Sequence, residues 1–133
     1  MDTPVIKLEH ADARGEIYSI ALPGERELML LHSKAGSIRG GHAHDVDEVV
    51  VLLTGKLKYR KRIENDSKAS PERQIEMGEG DTIFHERGEY HLAEFTEESW
   101  LLEWKIQTNK KGWKNIDYAD WRRLVQANAA GGR

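Results

Sequence analysis

Short apolar runs broken by turn residues fill most of the chain, and polar and apolar positions alternate within several of them. "EIYSIAL" (Glu16–Leu22) alternates and stops at Pro23-Gly24, and "RELMLLHS" (Arg26–Ser33) stops before Lys34-Ala35-Gly36. Both read as strands. "EVVVLLTGKLKYRKRI" (Glu48–Ile63) reads as a hairpin turning near Thr54-Gly55, with Leu57 and Tyr59 set against Lys58, Arg60 and Arg62. The polar, proline-containing stretch Glu64–Glu72 is expected to be an exposed loop. From Arg73 to Ile106 several more short strands follow, separated by glycine-rich turns. Many short strands at close spacing predict an all-β sandwich or barrel.

The C-terminal segment has a different period. In "IDYADWRRLVQA" (Ile116–Ala127), Tyr118, Trp121, Leu124 and Val125 share one helical face, and Asp117 is a candidate N-cap. The spacing predicts one helix over residues 116–127, packed on the barrel or on a neighbouring subunit, with residues 128–133 frayed. No internal repeat or linker divides the chain, so residues 1–133 are expected to form a single domain.

Composition narrows the chemistry. There is no cysteine, so disulfides, thiolate metal sites and cysteine nucleophiles are excluded. The formal net charge of −3 gives no basic bias toward nucleic acid or a membrane surface. No apolar run reaches the roughly 18 residues of a membrane span. The N-terminal ten residues lack the pattern of a signal peptide, and a cytoplasmic protein is expected.

Candidate chemistry concentrates in "GSIRGGHAHDVDEVVVLLTG" (Gly36–Gly55). His42, His44 and Glu48 have the same parity as Val50 and Leu52, so one extended strand would turn all five side chains to one face. Two imidazoles and a carboxylate inside a barrel are costly unless paired or metal-bound, and they suit first-row divalent metals.

The wider spacing, Gly36…His42-x-His44…Glu48…Gly55, resembles the first motif of the cupin superfamily at every specified position. Gly80, Gly88 and His91 occupy the glycine and histidine positions of the second motif. Glu86 stands where the family usually has proline, and Phe95 where it often has asparagine. The resemblance implies a cupin or jelly-roll β-barrel. It implies His42, His44, Glu48 and His91 as ligands of one divalent transition metal (zinc, iron, manganese or nickel), with open positions for substrate. It also implies a homodimer.

Two segments narrow the resemblance. "DARGEIYSI" (Asp12–Ile20) resembles the opening of cupins acting on nucleotide-linked deoxysugars. "IRGGHAH" (Ile38–His44) resembles the Arg-Gly-x-His-x-His of sugar-nucleotide ketoisomerases and of a zinc cupin domain in capsule-sugar biosynthesis. Those ketoisomerases usually have glutamine where Glu48 stands, a departure that favours a metal site here. The implied activity is an isomerase, epimerase or lyase acting on a small polar substrate, anionic or sugar-like, by metal polarisation and proton transfer. An iron-dependent dioxygenase and a non-catalytic small-ligand-binding module are the alternatives.

Candidate bases are His85, Tyr59 and His32, each of which also fits a loop or core position. Arg39 is placed to grip a phosphate or carboxylate, and Trp104 to wall the cavity, although core packing serves Trp104 equally well. The basic run "KLKYRKR" (Lys56–Arg62) reads as the outward face of a strand.

Overall fold

The computed structural model describes residues 5–23, 26–44, 46–63, 73–106 and 115–117, with the side chains of His42, His44, Ile63 and Asn115–Asp117 outside that description. Its elements, in chain order, are β1 (Val5–Asp12), β2 (Gly15–Leu22), β3 (Arg26–Ser33), β4 (Ile38–His44), β5 (Asp47–Thr54) and β6 (Leu57–Ile63). These are followed by β7 (Arg73–Met77), β8 (Thr82–His85), β9 (Glu89–Phe95), β10 (Ser99–Ile106) and β11 (Asn115–Asp117). Two sheets result, ordered β1-β2-β3-β10-β5-β8 and β11-β4-β9-β6-β7. Every paired neighbour runs antiparallel. The expected all-β jelly-roll architecture is observed.

Three expectations change. The stretch from Glu48 to Ile63 is not a hairpin: β5 pairs with β10 and β8, whereas β6 pairs with β9 and β7. The chain crosses between sheets at Gly55 and Lys56, where the Lys56 N–H donates to Ser99 Oγ at 3.2 Å and the Thr96 N–H to the Lys56 carbonyl at 3.0 Å. Two turn residues between alternating runs look alike whether the strands pair or part. Second, Val5–Asp12 forms an edge strand that the sequence pattern did not single out. Third, Ile116 and Asp117, the expected start of the helix, lie in β11 beside β4. The rest of that helix, the frayed tail and the loop Glu64–Glu72 lie outside the described residues.

The core fills the space between the sheets. Leu31, Val50, Leu52, Leu57, Met77, Ile83, Phe95 and Leu101 are all buried there. Each such side chain contributes roughly 2 kcal/mol by leaving water. Within each strand the inward residues share parity, as in Glu48, Val50 and Leu52, or Leu57, Tyr59 and Lys61. A smaller cluster of Ala43, Tyr90 and Leu92 has the opposite parity on β9 and belongs to the other face of its sheet.

Gly55 shows why the crossover needs glycine. Its φ is +101°, and an added Cβ would run into Ser99 and the Glu98 carbonyl. Gly36 has φ +86° but faces open space. Gly55→Ala is expected to destabilise the protein by roughly 2–4 kcal/mol and Gly36→Ala by about 1 kcal/mol, compared by urea unfolding midpoints.

Candidate metal centre and cavity

The register of the strands assembles the site. Glu48 on β5 lies opposite His85 on β8, and His91 on β9 lies opposite His42 on β4. The first pair belongs to one sheet and the second to the other. Glu48 and His85 are 1% exposed and His91 5%. His91 Nε2 is 3.5 Å from Glu48 Oε1, and the His85 and His91 rings stack with centroids 3.9 Å apart. Tyr59 sets its ring edge-on to His85 at 4.7 Å and to His91 at 6.2 Å.

The donor set fits a first-row divalent ion. One ligand atom from each of Glu48, His85 and His91 lies within 4.8 Å of the others. Ligands bound at about 2.1 Å to a common ion sit roughly 3–4 Å apart, so side-chain adjustments of about an ångström would close the set. Two imidazoles and a carboxylate match zinc, iron, manganese and nickel preferences. Glu48 and His91 were expected as ligands. His85 was expected as a base, yet it is buried among them on β8. The backbone of His42 is beside His91, and the side chains of His42 and His44 lie outside the described residues. The parity that linked them to Glu48 does not run through one strand, because β4 and β5 lie in different sheets.

Burial pushes the Glu48 carboxyl well above the usual carboxylate range; the charge of Glu103 adds to this, and Lys105 opposes it. Lys105 Nζ lies 3.6 Å from Glu48 Oε2. A cation at the site would reverse the shift, since it favours the ionised carboxylate.

A cavity of about 260 Å³ opens beside the cluster, and His91, Tyr59, Arg39, Gly40, Glu103 and Arg14 contribute to its wall. Arg39 is 6% exposed. Its Nε donates to Ser33 Oγ at 2.6 Å and one terminal nitrogen to the His32 carbonyl at 3.0 Å. No carboxylate pairs with it among the described residues, and burial lowers its pKa. Gly40, with φ +98°, brings β4 so close to β9 that a Cβ would stand 2.8 Å from the His91 carbonyl oxygen. Burial also pushes the Tyr59 phenol well up, so it stays protonated as a hydrogen-bond donor. Arg14 is fastened to Asp12, with its terminal nitrogen 2.6 Å from Oδ2, and this contact holds the Asp12 carboxyl below the usual carboxylate range.

Two expected site residues lie elsewhere. His32 points out of the barrel, because Leu31 and Ser33 on either side of it face in. Its ring nitrogens meet Glu98 at 2.6 Å and Glu16 at 2.9 Å, and it stacks on Trp100. The Glu98 hydrogen bond raises its pKa. Trp104 also faces outward on β10, and Glu103 takes the cavity position instead. Sequence reasoning missed Glu103, Lys105, Lys61 and Glu89 as interior groups. The signal was the parity they share with Leu101, with Tyr59 and with His91.

The two sheets closing over an interior Glu/His cluster are the architecture of a cupin, and comparison with solved structures bears this out. Capsular polysaccharide assembling protein CapF from Staphylococcus aureus superposes with a TM-score of 0.68 and 18% identity, covering 88% of this chain and 32% of that one. The Drosophila melanogaster CENP-C cupin domain gives 0.61 and 14%, covering 76% and 75%. Vicilin from Corylus avellana gives 0.68 and 12%, covering 90% and 39%. The chain therefore has the cupin fold, and it spans about a third of the length of CapF. No protein-family profile and no curated protein sequence matches it.

The raised Glu48 carboxyl sets a pH dependence with a definite sign. Folding binds its proton more tightly, so its contribution to stability is full below the ordinary carboxylate range and is lost as pH rises above that range. Metal-free protein is expected to lose thermal stability as pH rises above the ordinary carboxylate range, and Glu48→Gln to lose less, by melting temperature.

Proposed function

We propose that the protein is a metal-dependent enzyme acting on a small polar substrate, anionic or sugar-like, by proton transfer, as an isomerase, epimerase or lyase. The observation that carries this reading is the buried Glu48–His85–His91 cluster beside a cavity whose wall also holds the buried Arg39, which makes no salt bridge among the described residues. Buried ionisable groups gathered around a space mark a functional site, because burying them costs stability.

Glu48, His85 and His91 would hold the metal, with His42 adjoining His91 as a further ligand. The metal, when bound, supplies polarisation of a substrate carbonyl oxygen. The chain's own groups do the rest. Arg39 holds the anionic part of the substrate, pre-oriented by Ser33 and the His32 carbonyl. Tyr59 donates a hydrogen bond from its neutral phenol. Glu103, whose pKa is raised by burial, takes a proton from the carbon next to the carbonyl and returns it to the neighbouring position. Leu31, Phe95 and Leu101 give the cavity an apolar part of its wall. This assigns the base to Glu103 and leaves His85 as a ligand. The exposed apolar residues Val5, Ile6 and Leu8 on the edge strand β1 support a homodimer formed through that edge.

Elemental analysis of protein loaded with zinc, manganese, nickel or iron is expected to give about one ion per chain, and His91→Ala to lower this at least tenfold. Full metal content in His91→Ala would refute the site. In a thermal-shift screen of small hydroxy acids and sugar phosphates, Arg39→Ala is expected to bind any hit roughly 10–100-fold more weakly. Substrate-dependent oxygen uptake by the iron form would instead identify a dioxygenase.

A further inference from the structure

Among the described residues, one buried ion pair neither lines the cavity nor supplies a candidate ligand. Lys61 Nζ lies 2.9 Å from Glu89 Oε1, and the two side chains are 5% and 6% exposed. Lys61 is on β6, directly opposite His91 in register, and Glu89 begins β9. Their remaining hydrogen bonds all lead to the metal cluster. Lys61 Nζ donates to the Phe84 carbonyl at 2.9 Å, immediately before His85. Glu89 Oε1 accepts the Glu86 N–H at 3.0 Å, immediately after His85. The Glu89 carbonyl lies 3.2 Å from His91 Nδ1. A carbonyl only accepts, so Nδ1 carries the proton and Nε2, the nitrogen facing Glu48, keeps its lone pair.

We propose that the Lys61–Glu89 pair is a positioning device that sets the divalent-metal affinity of the Glu48–His85–His91 site. This rests on the reading of that cluster as a metal centre. The pair fastens the backbone on both sides of His85 and holds in place the start of β9, whose Glu89 carbonyl sets the orientation and tautomer of the His91 ring. It ties β6 of one sheet to β8 of the other, so ligands drawn from both sheets are held at one spacing. As a stability device it would be a poor choice: a buried ion pair replaced by well-packed apolar side chains is often neutral or stabilising. Outer partners that orient ligand histidines typically account for 10–100-fold in metal affinity.

The test is titration of the metal-free full chain with Co²⁺, followed by its visible ligand-field bands, alongside the melting temperature of each metal-free variant. The double variant Lys61→Met/Glu89→Leu is expected to fold with a melting temperature within a few degrees of wild type. It is expected to bind Co²⁺ at least tenfold more weakly, with shifted bands. Lys58→Met, on the outer face of β6, is the control and is expected to match wild type. A folded double variant with wild-type affinity and spectrum would overturn the proposal. Should the double variant not fold, Glu89→Gln, which keeps the acceptor for the Glu86 N–H, carries the test with an expected loss of several-fold. Unchanged affinity there would overturn the proposal equally. Wild-type protein that binds no Co²⁺ refutes the metal centre itself, and the positioning role with it.

Discussion

The structure depends on concentrating ionisable side chains at one end of a barrel interior. Following the inward residues along β5, β6, β9 and β10, apolar groups give way to ionisable ones: Leu57 and Tyr59 to Lys61, Phe95 and Ala93 to His91 and Glu89, Leu101 to Glu103 and Lys105, and Leu52 and Val50 to Glu48. Removing one unpaired charge from water costs several kcal/mol, so these groups are tolerable only together. Lys61 meets Glu89, and both Lys105 and His91 approach Glu48. The apolar end supplies the burial energy that keeps the two sheets closed. The charged end sets what the closed barrel can hold.

That division also explains the local backbone. Within the sheet that carries His91, Gly40 is where β4 meets β9 most closely beside the cavity. The absence of a side chain there both allows the approach and leaves cavity space beside Arg39. Arg39 is anchored from β3 through Ser33 and the His32 carbonyl, and it shares the cavity wall with Glu103.

Much of this was legible in the sequence, and the failures share one cause. Motif spacing singled out Glu48 and His91, which the fold brings into one buried cluster, and the barrel that carries them, because glycines and polar residues at fixed offsets reflect backbone constraints. Parity identified which residues share a face. It does not say which face is inside when both are apolar. On β3, Leu28 and Leu30 alternate with Met29 and Leu31, so His32 was placed on the wrong side. On β10, Leu102 and Trp104 alternate with Leu101 and Glu103, so Trp104 was favoured over the carboxylate that lines the cavity. The inward Lys61 was hidden in a basic run that otherwise faces out. Whether β5 and β6 pair or part depends on β9 and β10, which lie dozens of residues downstream, and no local pattern encodes that choice.

The three clustered side chains do not share equal footing. Glu48 is on a strand flanked by β10 and β8, and His91 on one flanked by β4 and β6. His85 ends a four-residue strand at the margin of its sheet, paired with β5 alone among the described strands. Glu48 and His91 are thus held by a neighbouring strand on either side, and His85 by one strand and two buried side chains. The second attachment that its neighbours receive from a sheet, His85 receives from Lys61 and Glu89, so a change at either side chain reaches this one member of the cluster first.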